Sequence, residues 1–368
     1  MSRALELAVL GRGHVEPNPM VGCVIAQQSS IAQQDNIVGE GWHQKFGGPH
    51  AEIVALSAAG DSARQATAYV TLEPCCHQGK TSPCTQALIN AGVAKVVIGC
   101  SDPNPAVAGK GVAELRAAGI EVEENVLQQQ AANTIAPFTK LVTQGMPWVI
   151  AKWAMTLDGK LASRTGSSQW ISGEQSRAVV HQVRSVVDAI LVGCGTAQAD
   201  DPLLTARPSG PRTALRVVLD SNASLSTDCR LVKSISEAPL LVAVAESAPE
   251  DRCQQLMDLG AEILVLAGTD HSSQMKSLLA ELGRRQMTNL LVEGGAKVFG
   301  TLLDMHAPDK HVIDELHAFI APKLIGGKAA PAAIAGLGIA DMSNALQLQD
   351  PEVNLLAGDI HVHARVSY

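Results

Sequence analysis

Aromatic residues are scarce in this chain and make up only 3% of its 368 residues. Basic residues are outnumbered as well, since 28 Lys and Arg stand against 36 Asp and Glu and give a net charge of −8. Proteins that bind nucleic acids use basic surfaces against phosphates and aromatic side chains against bases. The composition therefore predicts no nucleic-acid partner.

Long apolar runs are also missing, and none approaches the length of a membrane-spanning helix. Residues 1–6 lack the basic start and apolar stretch of a signal peptide. Eight cysteines in a chain of this length are too few for a disulfide scaffold. These features predict a cytoplasmic protein without a membrane partner. An apolar fraction of 46% is ample for burial, and the length favours two domains.

Strand-like and helix-like segments alternate along the first 127 residues, beginning with strands at 21–26 and 37–40 and a helix at 51–59. This alternation predicts an α/β layered domain with a largely parallel sheet. A second α/β series starts near Trp148, after a Gln-rich segment. We therefore predict two domains, residues 1–145 and residues 146–368.

Two regions of the second series carry further expectations. The segment 360–366 alternates His361, His363 and Arg365 with apolar residues, which predicts a half-exposed terminal strand. The Ala/Gly-rich stretch 326–338 fits a loop and a small-residue helix equally well.

Three short segments of the first half bring one imidazole, two thiols and a carboxylate: His50 and Glu52, then Cys75, then Cys84. Zinc deaminases carry H-x-E followed by P-C-x-x-C. The first half of that signature fits, but Cys84 lies nine positions after Cys75. We predict His50, Cys75 and Cys84 as ligands of one Zn²⁺ per chain. Three protein ligands leave a position for water, as in catalytic zinc sites.

The local pattern suits that chemistry. His50 precedes a predicted helix and Cys84 begins another, and helix N-termini lower thiol pKa values. We predict that Glu52 is the catalytic residue, which moves protons and does not bind the metal. The alternatives are merely buried thiols or a structural zinc site with Cys76 or His77 as fourth ligand. We expect neither of these two to reach the ion, because adjacent residues in a tight turn seldom bind one metal.

A tripeptide in the same loop, Gly79-Lys80-Thr81, resembles the end of a phosphate-binding P-loop. It lacks the upstream glycine at the required spacing. We therefore reject a nucleoside-triphosphate site in this loop.

The motifs of the first half are P-N-P-M-V-G-C-V at 17–24, P-H-A-E at 49–52, T-L-E-P-C at 71–75, D-P-N-P at 102–105 and G-K-G at 109–111. Together they resemble the bifunctional deaminase/reductase family of riboflavin biosynthesis. The long loop from Cys75 to Cys84 is itself a feature of that family and differs from the short spacing of nucleic-acid and cytidine deaminases. Two residues depart from the family pattern: Cys76 stands where a small hydroxyl residue is usual, and Ser82 where a proline is common.

The resemblance continues through K-W-A-M-T-L-D-G-K at 152–160, T-G-S-S-Q-W-I at 165–171, D-D-P-L-L-T-A-R at 200–207 and V-E-G-G at 292–295. It implies an N-terminal cytidine-deaminase-like αβα domain and a C-terminal dihydrofolate-reductase-like α/β domain that uses NADPH. The positions that match the family's cofactor-binding residues are Ala154, Trp170, Thr196, Asp200, Ser221, Gly295, Ala296, Lys297, Val298, Phe299, Gly300 and Thr301. The positions that match its substrate-binding residues are Ser168, Arg184, Leu204, Arg207 and Glu293.

The residues of the second half are less decisive by themselves. No G-x-G-x-x-G fingerprint occurs, and a Gly-Gly turn after a strand is as common in packing as at a pyrophosphate. Arg184 and Arg207 could hold a phosphate through forked hydrogen bonds or be ordinary surface residues. Trp170 could flank a nicotinamide or belong to the core, and Asp200 could bind a sugar hydroxyl or cap a turn.

The resemblance implies a zinc-dependent deamination of 2,5-diamino-6-ribosylamino-4(3H)-pyrimidinone 5′-phosphate. An NADPH-dependent reduction of the ribosyl side chain would follow. It implies a small phosphorylated pyrimidine as substrate, and we expect a homo-oligomer. One alternative is a nucleobase or nucleic-acid deaminase with an appended nucleotide-binding domain, which predicts a basic channel and short cysteine spacing. Another is a non-enzymatic module stabilised by zinc.

Overall fold

The chain folds into two compact units, Met1–Gly145 and Met146–Tyr368. A computed structural model describes residues 1–27, 36–76, 83–105, 107–305 and 312–367. Within these residues, no helix is both long and apolar enough to cross a bilayer.

The first unit contains one five-stranded sheet among its described residues. Its strands are β1 (Gly22–Gln27), β2 (Asn36–Trp42), β3 (Thr67–Leu72), β4 (Lys95–Cys100) and β5 (Glu121–Glu123). Their order is β2-β1-β3-β4-β5. β1 runs antiparallel to β2 and β3, while β3, β4 and β5 are parallel. The expectation of a largely parallel sheet was therefore wrong for this unit, because β1 and β2 form a hairpin at its edge.

Helices cover both faces of this sheet. They are α1 (Ser2–Ala8), α2 (Ala51–Ala59), α3 (Cys84–Ala91), α4 (Lys110–Ala117), α5 (Gln128–Thr134) and α6 (Ala136–Gln144). The apolar sides of α2, α3 and α4 share one core with the sheet, while α1 and α5 contribute to smaller clusters. Glycines permit the close approach of α2 to β2, since a Cβ at Gly41 would lie 2.5 Å from the carbonyl oxygen of Ala51. The result is an αβα arrangement that fixes the start of α2.

The second unit contains a nine-stranded sheet among its described residues. The strands are β6 (Trp148–Thr156), β7 (Ala189–Gly193), β8 (Leu215–Leu219), β9 (Leu240–Ala245), β10 (Glu262–Leu266), β11 (Asn289–Gly294), β12 (Glu315–Ala321), β13 (Leu348–Leu356) and β14 (Asp359–Val366). The helices are α7 (Glu174–Arg184), α8 (Cys194–Asp200), α9 (Arg230–Lys233), α10 (Glu250–Asp258), α11 (His271–Arg284) and α12 (Ala296–Asp304).

The strand order of the second unit is β10-β9-β8-β7-β11-β6-β12-β14-β13. The seven strands from β10 to β12 are parallel, and β14 pairs antiparallel with both β12 and β13. The central strands are almost fully buried, as expected for a parallel sheet with helices on its faces. Because parallel strands end at one edge, the loops after β6, β7, β8 and β11 meet there.

Three local features complete the description of the fold. Helix α6 contains Pro137 in its first turn, where proline is tolerated. Strand β13 has no alternation of exposed and buried residues, so the periodicity gave no signal for it. The stretch 326–338 is irregular, with one isolated bridge at Ala332.

Candidate active sites

The first unit brings together the three metal-binding side chains expected from the sequence. His50 Nδ1 lies 3.3 Å from Cys84 Sγ and 3.6 Å from Cys75 Sγ. One nitrogen and two sulfurs within 4.8 Å of one another form a donor set that fits zinc.

Strand and helix ends position these donors. His50 is the residue before α2, Cys84 is the first residue of α3, and Cys75 follows β3. The backbone N–H of Cys84 points to Cys75 Sγ at 3.5 Å, and the N–H of Thr85 donates to the Cys75 carbonyl at 3.2 Å. The free N–H groups of the α3 terminus thus favour negative charge on Cys75.

The two thiols differ in acidity. The hydrogen bond from Cys84 is the largest influence on Cys75, and together with His50 it lowers the Cys75 pKa to about 4. The same hydrogen bond and burial raise the pKa of Cys84 well above its usual value. The pair therefore favours a thiolate on Cys75, and a bound divalent ion would hold both sulfurs in the thiolate form.

Glu52 occupies the first turn of α2 and is only 3% exposed. Burial is the main cause that raises its carboxyl pKa above the usual value. A raised pKa brings a carboxyl group closer to the pH at which it can both accept and donate a proton. The structure thus places a buried carboxyl group with a raised pKa beside His50, Cys75 and Cys84.

Glu73 is a residue of this site to which the sequence reading assigned no role. Its carboxylate accepts four backbone N–H groups, from Asp102 (3.3 Å), Gly109 (3.0 Å), Gly111 (3.0 Å) and Val112 (3.3 Å). A Cβ at Gly111 would overlap the Pro74 carbonyl oxygen, which explains the glycine in the G-K-G motif. These contacts fix the turn that carries Cys75.

His43 supports His50 from the other side. The His43 ring meets the His50 ring edge to face, with centroids 5.5 Å apart. Its Nδ1 lies 2.9 Å from the Pro49 carbonyl oxygen, and its Nε2 lies 3.1 Å from Asn18 Nδ2. Nothing in the sequence spacing singled out His43. Asn18, however, belongs to the P-N-P-M motif.

Of the two alternative fourth ligands considered above, Cys76 and His77, only Cys76 lies among the described residues. Cys76 is not a member of the group formed by His50, Cys75 and Cys84. His77 lies outside the described residues, as do Gly79-Lys80-Thr81 and Ser82.

In the second unit, Glu293 near the end of β11 binds two basic side chains. Arg184, at the end of α7, donates two hydrogen bonds to the Glu293 carboxylate. Its Nε donates to Oε1, and its Nη2 donates to Oε2 at 2.8 Å. Lys152 Nζ of β6 lies 3.4 Å from Glu293 Oε2. Burial by itself would raise the Glu293 pKa, but the two cations outweigh it and lower the pKa to about 2.

Lys152 is a second residue to which the sequence reading assigned no role, although it opens the K-W-A-M motif. Its side chain is 17% exposed. Burial is the largest cause that lowers the pKa of its ammonium group, and Glu293 opposes that shift. A buried lysine with a lowered pKa beside a carboxylate is typical of functional sites.

Several of the expected cofactor-binding positions meet at the carboxyl edge of the parallel sheet. Ala154 lies in β6, Thr196 and Asp200 lie in α8 directly after β7, and Ser221 follows β8. Gly295 follows β11 with φ +92°, and a Cβ there would lie 3.6 Å from Thr196 Oγ1. Among the substrate positions, Ser168 Oγ donates to Asp200 Oδ1 at 2.8 Å. Ligands of open parallel sheets bind at this edge.

The remaining positions have varied surroundings. Trp170 is 65% exposed, and the Arg177 guanidinium carbon lies 4.7 Å from its ring centre. Leu204 is buried, while Arg207 is exposed and its N–H donates to His181 Nδ1 at 3.2 Å. Phe299 lies in the core against Trp153. Like Phe299, the other expected cofactor positions between 296 and 301 lie in helix α12: Ala296, Lys297, Val298, Gly300 and Thr301.

Comparisons with known proteins agree with this geometry. Residues 1–100 match the family described as the cytidine and deoxycytidylate deaminase zinc-binding region. Residues 147–362 match the family described as the RibD C-terminal domain. The two matches fall in the first and second unit, respectively.

Full-length relatives extend the likeness over the whole chain. The riboflavin biosynthesis protein RibD of Actinobacillus pleuropneumoniae is 41% identical over 360 residues, with 98% of this chain and 93% of the relative covered. The structure of RibD from Acinetobacter baumannii is 36% identical and covers 100% of this chain and 98% of its own, with a TM-score of 0.83. A Thermotoga maritima structure reaches a TM-score of 0.82 at 37% identity, covering 100% and 97%. It is named a diaminohydroxyphosphoribosylaminopyrimidine deaminase/5-amino-6-(5-phosphoribosylamino)uracil reductase.

Proposed function

Because this chain belongs to the RibD family of bifunctional riboflavin-biosynthesis enzymes, we propose that its two sites act in turn on one phosphorylated pyrimidine. The protein is both a deaminase and a reductase, and its cofactors are zinc and NADPH. The expected fold class, a deaminase-like unit followed by a reductase-like α/β unit, is confirmed. We assign residues 1–145 to the deaminase and residues 146–368 to the reductase.

The proposed first substrate is 2,5-diamino-6-ribosylamino-4(3H)-pyrimidinone 5′-phosphate, in line with the activity named for the Thermotoga relative. His50, Cys75 and Cys84 would hold the zinc ion, which supplies an activated water when bound. Glu52 would take one proton from the attacking water and pass it to the ring nitrogen, and would pass the second proton of that water to the departing amino group, which leaves as ammonia. The observation that carries this role is the burial of Glu52, with its raised pKa, in the turn that follows His50.

We propose that the reductase site is the carboxyl edge of the parallel sheet, where NADPH supplies the hydride. The cofactor positions are Ala154, Trp170, Thr196, Asp200, Ser221 and the segment Gly295 to Thr301. The product would be 5-amino-6-(5-phosphoribitylamino)uracil. Lys152 is our candidate proton donor for opening the ribosyl ring, because its ammonium is buried beside Glu293 and its pKa is lowered.

The substrate of the second step would lie against Ser168, Arg184, Leu204, Arg207 and Glu293. Arg207 is the exposed cation of this set and suits the phosphate. Arg184 and Glu293 bind each other and, with Lys152, form the polar wall of the site.

Mass spectrometry of the diaminopyrimidine substrate tests both steps. With zinc-loaded enzyme alone, we expect an amino group to be replaced by a carbonyl oxygen. With NADPH added, two further hydrogens should appear. No change under either condition, together with turnover of a free nucleobase, would reject the assignment in favour of a nucleobase deaminase.

Glu52→Gln tests the catalytic residue. The variant should keep its zinc and lose deamination by about 10²-fold or more, while it still reduces a substrate that is already deaminated. Glu121→Gln, on an exposed residue of β5, is the matched control and should retain both activities. Deamination by Glu52→Gln at the wild-type rate would remove Glu52 from the mechanism.

We further propose a cytoplasmic homo-oligomer that does not use nucleic acid. The eight cysteines are all free, which suits a reducing compartment. Strand β13 lies at the edge of the larger sheet and exposes Val353 (63%) and Leu355 (77%). Exposed apolar edge strands favour association. Sedimentation of the purified chain would test this, and a monomer at micromolar concentration would contradict it.

A further inference from the structure

A second group of side chains that could bind a metal ion lies in the second unit, on the strands β12 and β14. Glu315 and His317 project from β12 and His363 projects from β14. One ligand atom from each lies within 4.8 Å of the others. We propose that Glu315, His317 and His363 bind a divalent transition-metal ion, with Zn²⁺ as the best match to their chemistry.

The donor atoms converge on one point. His363 Nε2 lies 2.8 Å and His317 Nε2 lies 3.4 Å from the same carboxylate oxygen, Glu315 Oε1. The two imidazole rings are stacked with centroids 4.4 Å apart and an angle of 19° between their planes, so one ring must turn for both nitrogen lone pairs to point at one ion. Two imidazoles and one carboxylate form a set used by zinc and neighbouring transition metals, whereas Mg²⁺ and Ca²⁺ prefer oxygen ligands.

Each of the three ligands is also held at its remote atom. The Trp148 indole N–H donates to Glu315 Oε2 at 3.0 Å. His317 Nδ1 lies 3.0 Å from His361 Nε2, and His363 Nδ1 lies 3.6 Å from Glu352 Oε2. Metal-binding histidines usually donate their other ring N–H to such a partner, which fixes the ring orientation. The outer contacts of a metal site are therefore already in place.

The register of the strands explains this convergence. His363 pairs with His317 of β12 on one side and with Glu352 of β13 on the other. Side chains at paired positions lie on the same face of a sheet. One row across β12, β14 and β13 therefore carries the imidazoles of His317 and His363 and the carboxylate of Glu352. Lys152 pairs with His317 from β6, but its ammonium is directed to Glu293.

Burial and access also fit a bound ion. The side chains of His317 and Glu315 are 10% and 16% exposed, whereas that of His363 is 32% exposed. Solvent can therefore reach the site from the His363 side and supply a water as fourth ligand. The ion would connect β12 to β14 and, through Glu352, stabilise the edge strand β13.

Cobalt titration of the metal-free full-length protein distinguishes this site from the deaminase site. Co²⁺ bound by Cys75 and Cys84 gives intense thiolate-to-metal absorption in the near ultraviolet, while Co²⁺ bound by imidazoles and a carboxylate gives only weak visible bands. We expect the wild type to bind two equivalents, one of each kind. His363→Gln and His317→Gln should each lose only the weak-band equivalent, and the double replacement of Cys75→Ser with Cys84→Ser should lose only the thiolate absorption.

His271→Gln, on an exposed histidine at the start of α11, is the matched control and should bind two equivalents. Far-UV circular dichroism and cooperative urea unfolding of the second unit verify that the two histidine variants are folded. His363, being more exposed, provides the milder substitution. Zinc content after dialysis against metal-free buffer should fall from two ions per chain to one in either variant. A single equivalent in the wild type, two in both variants, or a second ion lost on dialysis would overturn the proposal.

Discussion

Replacement of Glu73 by Gln probes how the deaminase turn is held. The carboxylate is 3% exposed, and each of its oxygens accepts two backbone N–H groups. In the Glu73→Gln variant one of these oxygens is replaced by an NH₂ group, which cannot accept. Two backbone N–H groups then lose their acceptor, either the buried pair of Gly111 and Val112 or the partly buried pair of Asp102 and Gly109, at about 1–3 kcal/mol each. We expect the free energy of unfolding of the first unit to fall by about 2–6 kcal/mol.

The same change should weaken zinc binding, because Glu73 precedes Pro74 and Cys75 and fixes their turn against the loop 102–112. Loss of a group that orients a metal ligand typically lowers metal affinity by about 10- to 100-fold. Urea unfolding of the metal-free protein and zinc competition against a chelator measure the two effects. Reduction of a deaminated substrate should persist.

Glu121→Gln serves as the control, since Glu121 is 69% exposed and its ion pair with Lys95 is screened by solvent. Unfolding and zinc affinity of Glu73→Gln within the range of this control would refute the reasoning. Such a result would mean that the four N–H groups do not depend on the carboxylate.

Further predictions concern both units. Glu293→Gln should lower the free energy of unfolding by about 3 kcal/mol at pH 7, because the Glu293 pKa of about 2 lies below the usual 4.5. The difference between the variant and the wild type should shrink as the pH falls from 4.5 toward 2. A difference that stays constant over this pH range would contradict the prediction. Lys152→Met should lower the kcat of reduction by about 10²-fold with deamination intact, and an unchanged kcat in steady-state assays would exclude Lys152 as proton donor. Arg207→Gln should raise the KM of the phosphorylated substrate with little change in kcat, whereas an unchanged KM would place the phosphate elsewhere. Gly111→Ala should impair zinc retention, because the added Cβ overlaps the Pro74 carbonyl oxygen. Full zinc content by elemental analysis would contradict this and show that the loop can move to accommodate the Cβ.

The sequence was most informative where chemistry and secondary structure coincide. His50, Cys75 and Cys84 could be predicted to meet because each lies at the end of a strand or the start of a helix. The alternation of strands and helices likewise predicted most elements, including α2 with its bounds. Periodicity failed at β13, since its side chains are exposed on both faces.

The anchoring residues could not be predicted in the same way. Glu73 acts on backbone N–H groups 29 to 39 residues away, and Glu293 binds an arginine 109 residues earlier. The histidine cluster depends on strand register, which the alternation of His361 and His363 does not fix. The sequence suggested a half-exposed strand, whereas His361 is 6% exposed because it stacks on Phe319 and His317. Such long-range pairings follow from tertiary structure and not from local pattern.

Glu73 and Glu293 show why two buried carboxylates have different consequences in one chain. Glu73 is neutralised by dipoles of the backbone, so it holds a loop in one conformation and leaves no counter-charge for a ligand. Glu293 is neutralised by Arg184 and Lys152, whose nitrogens are not all used by it; Arg184 Nη1 instead donates to the Thr205 carbonyl at 3.2 Å. A wall made of paired charges can rearrange its hydrogen bonds when a phosphorylated sugar arrives, whereas a carboxylate held by backbone N–H groups cannot. The first arrangement suits a fixed metal turn, and the second suits a site that must bind an anionic substrate and release its product.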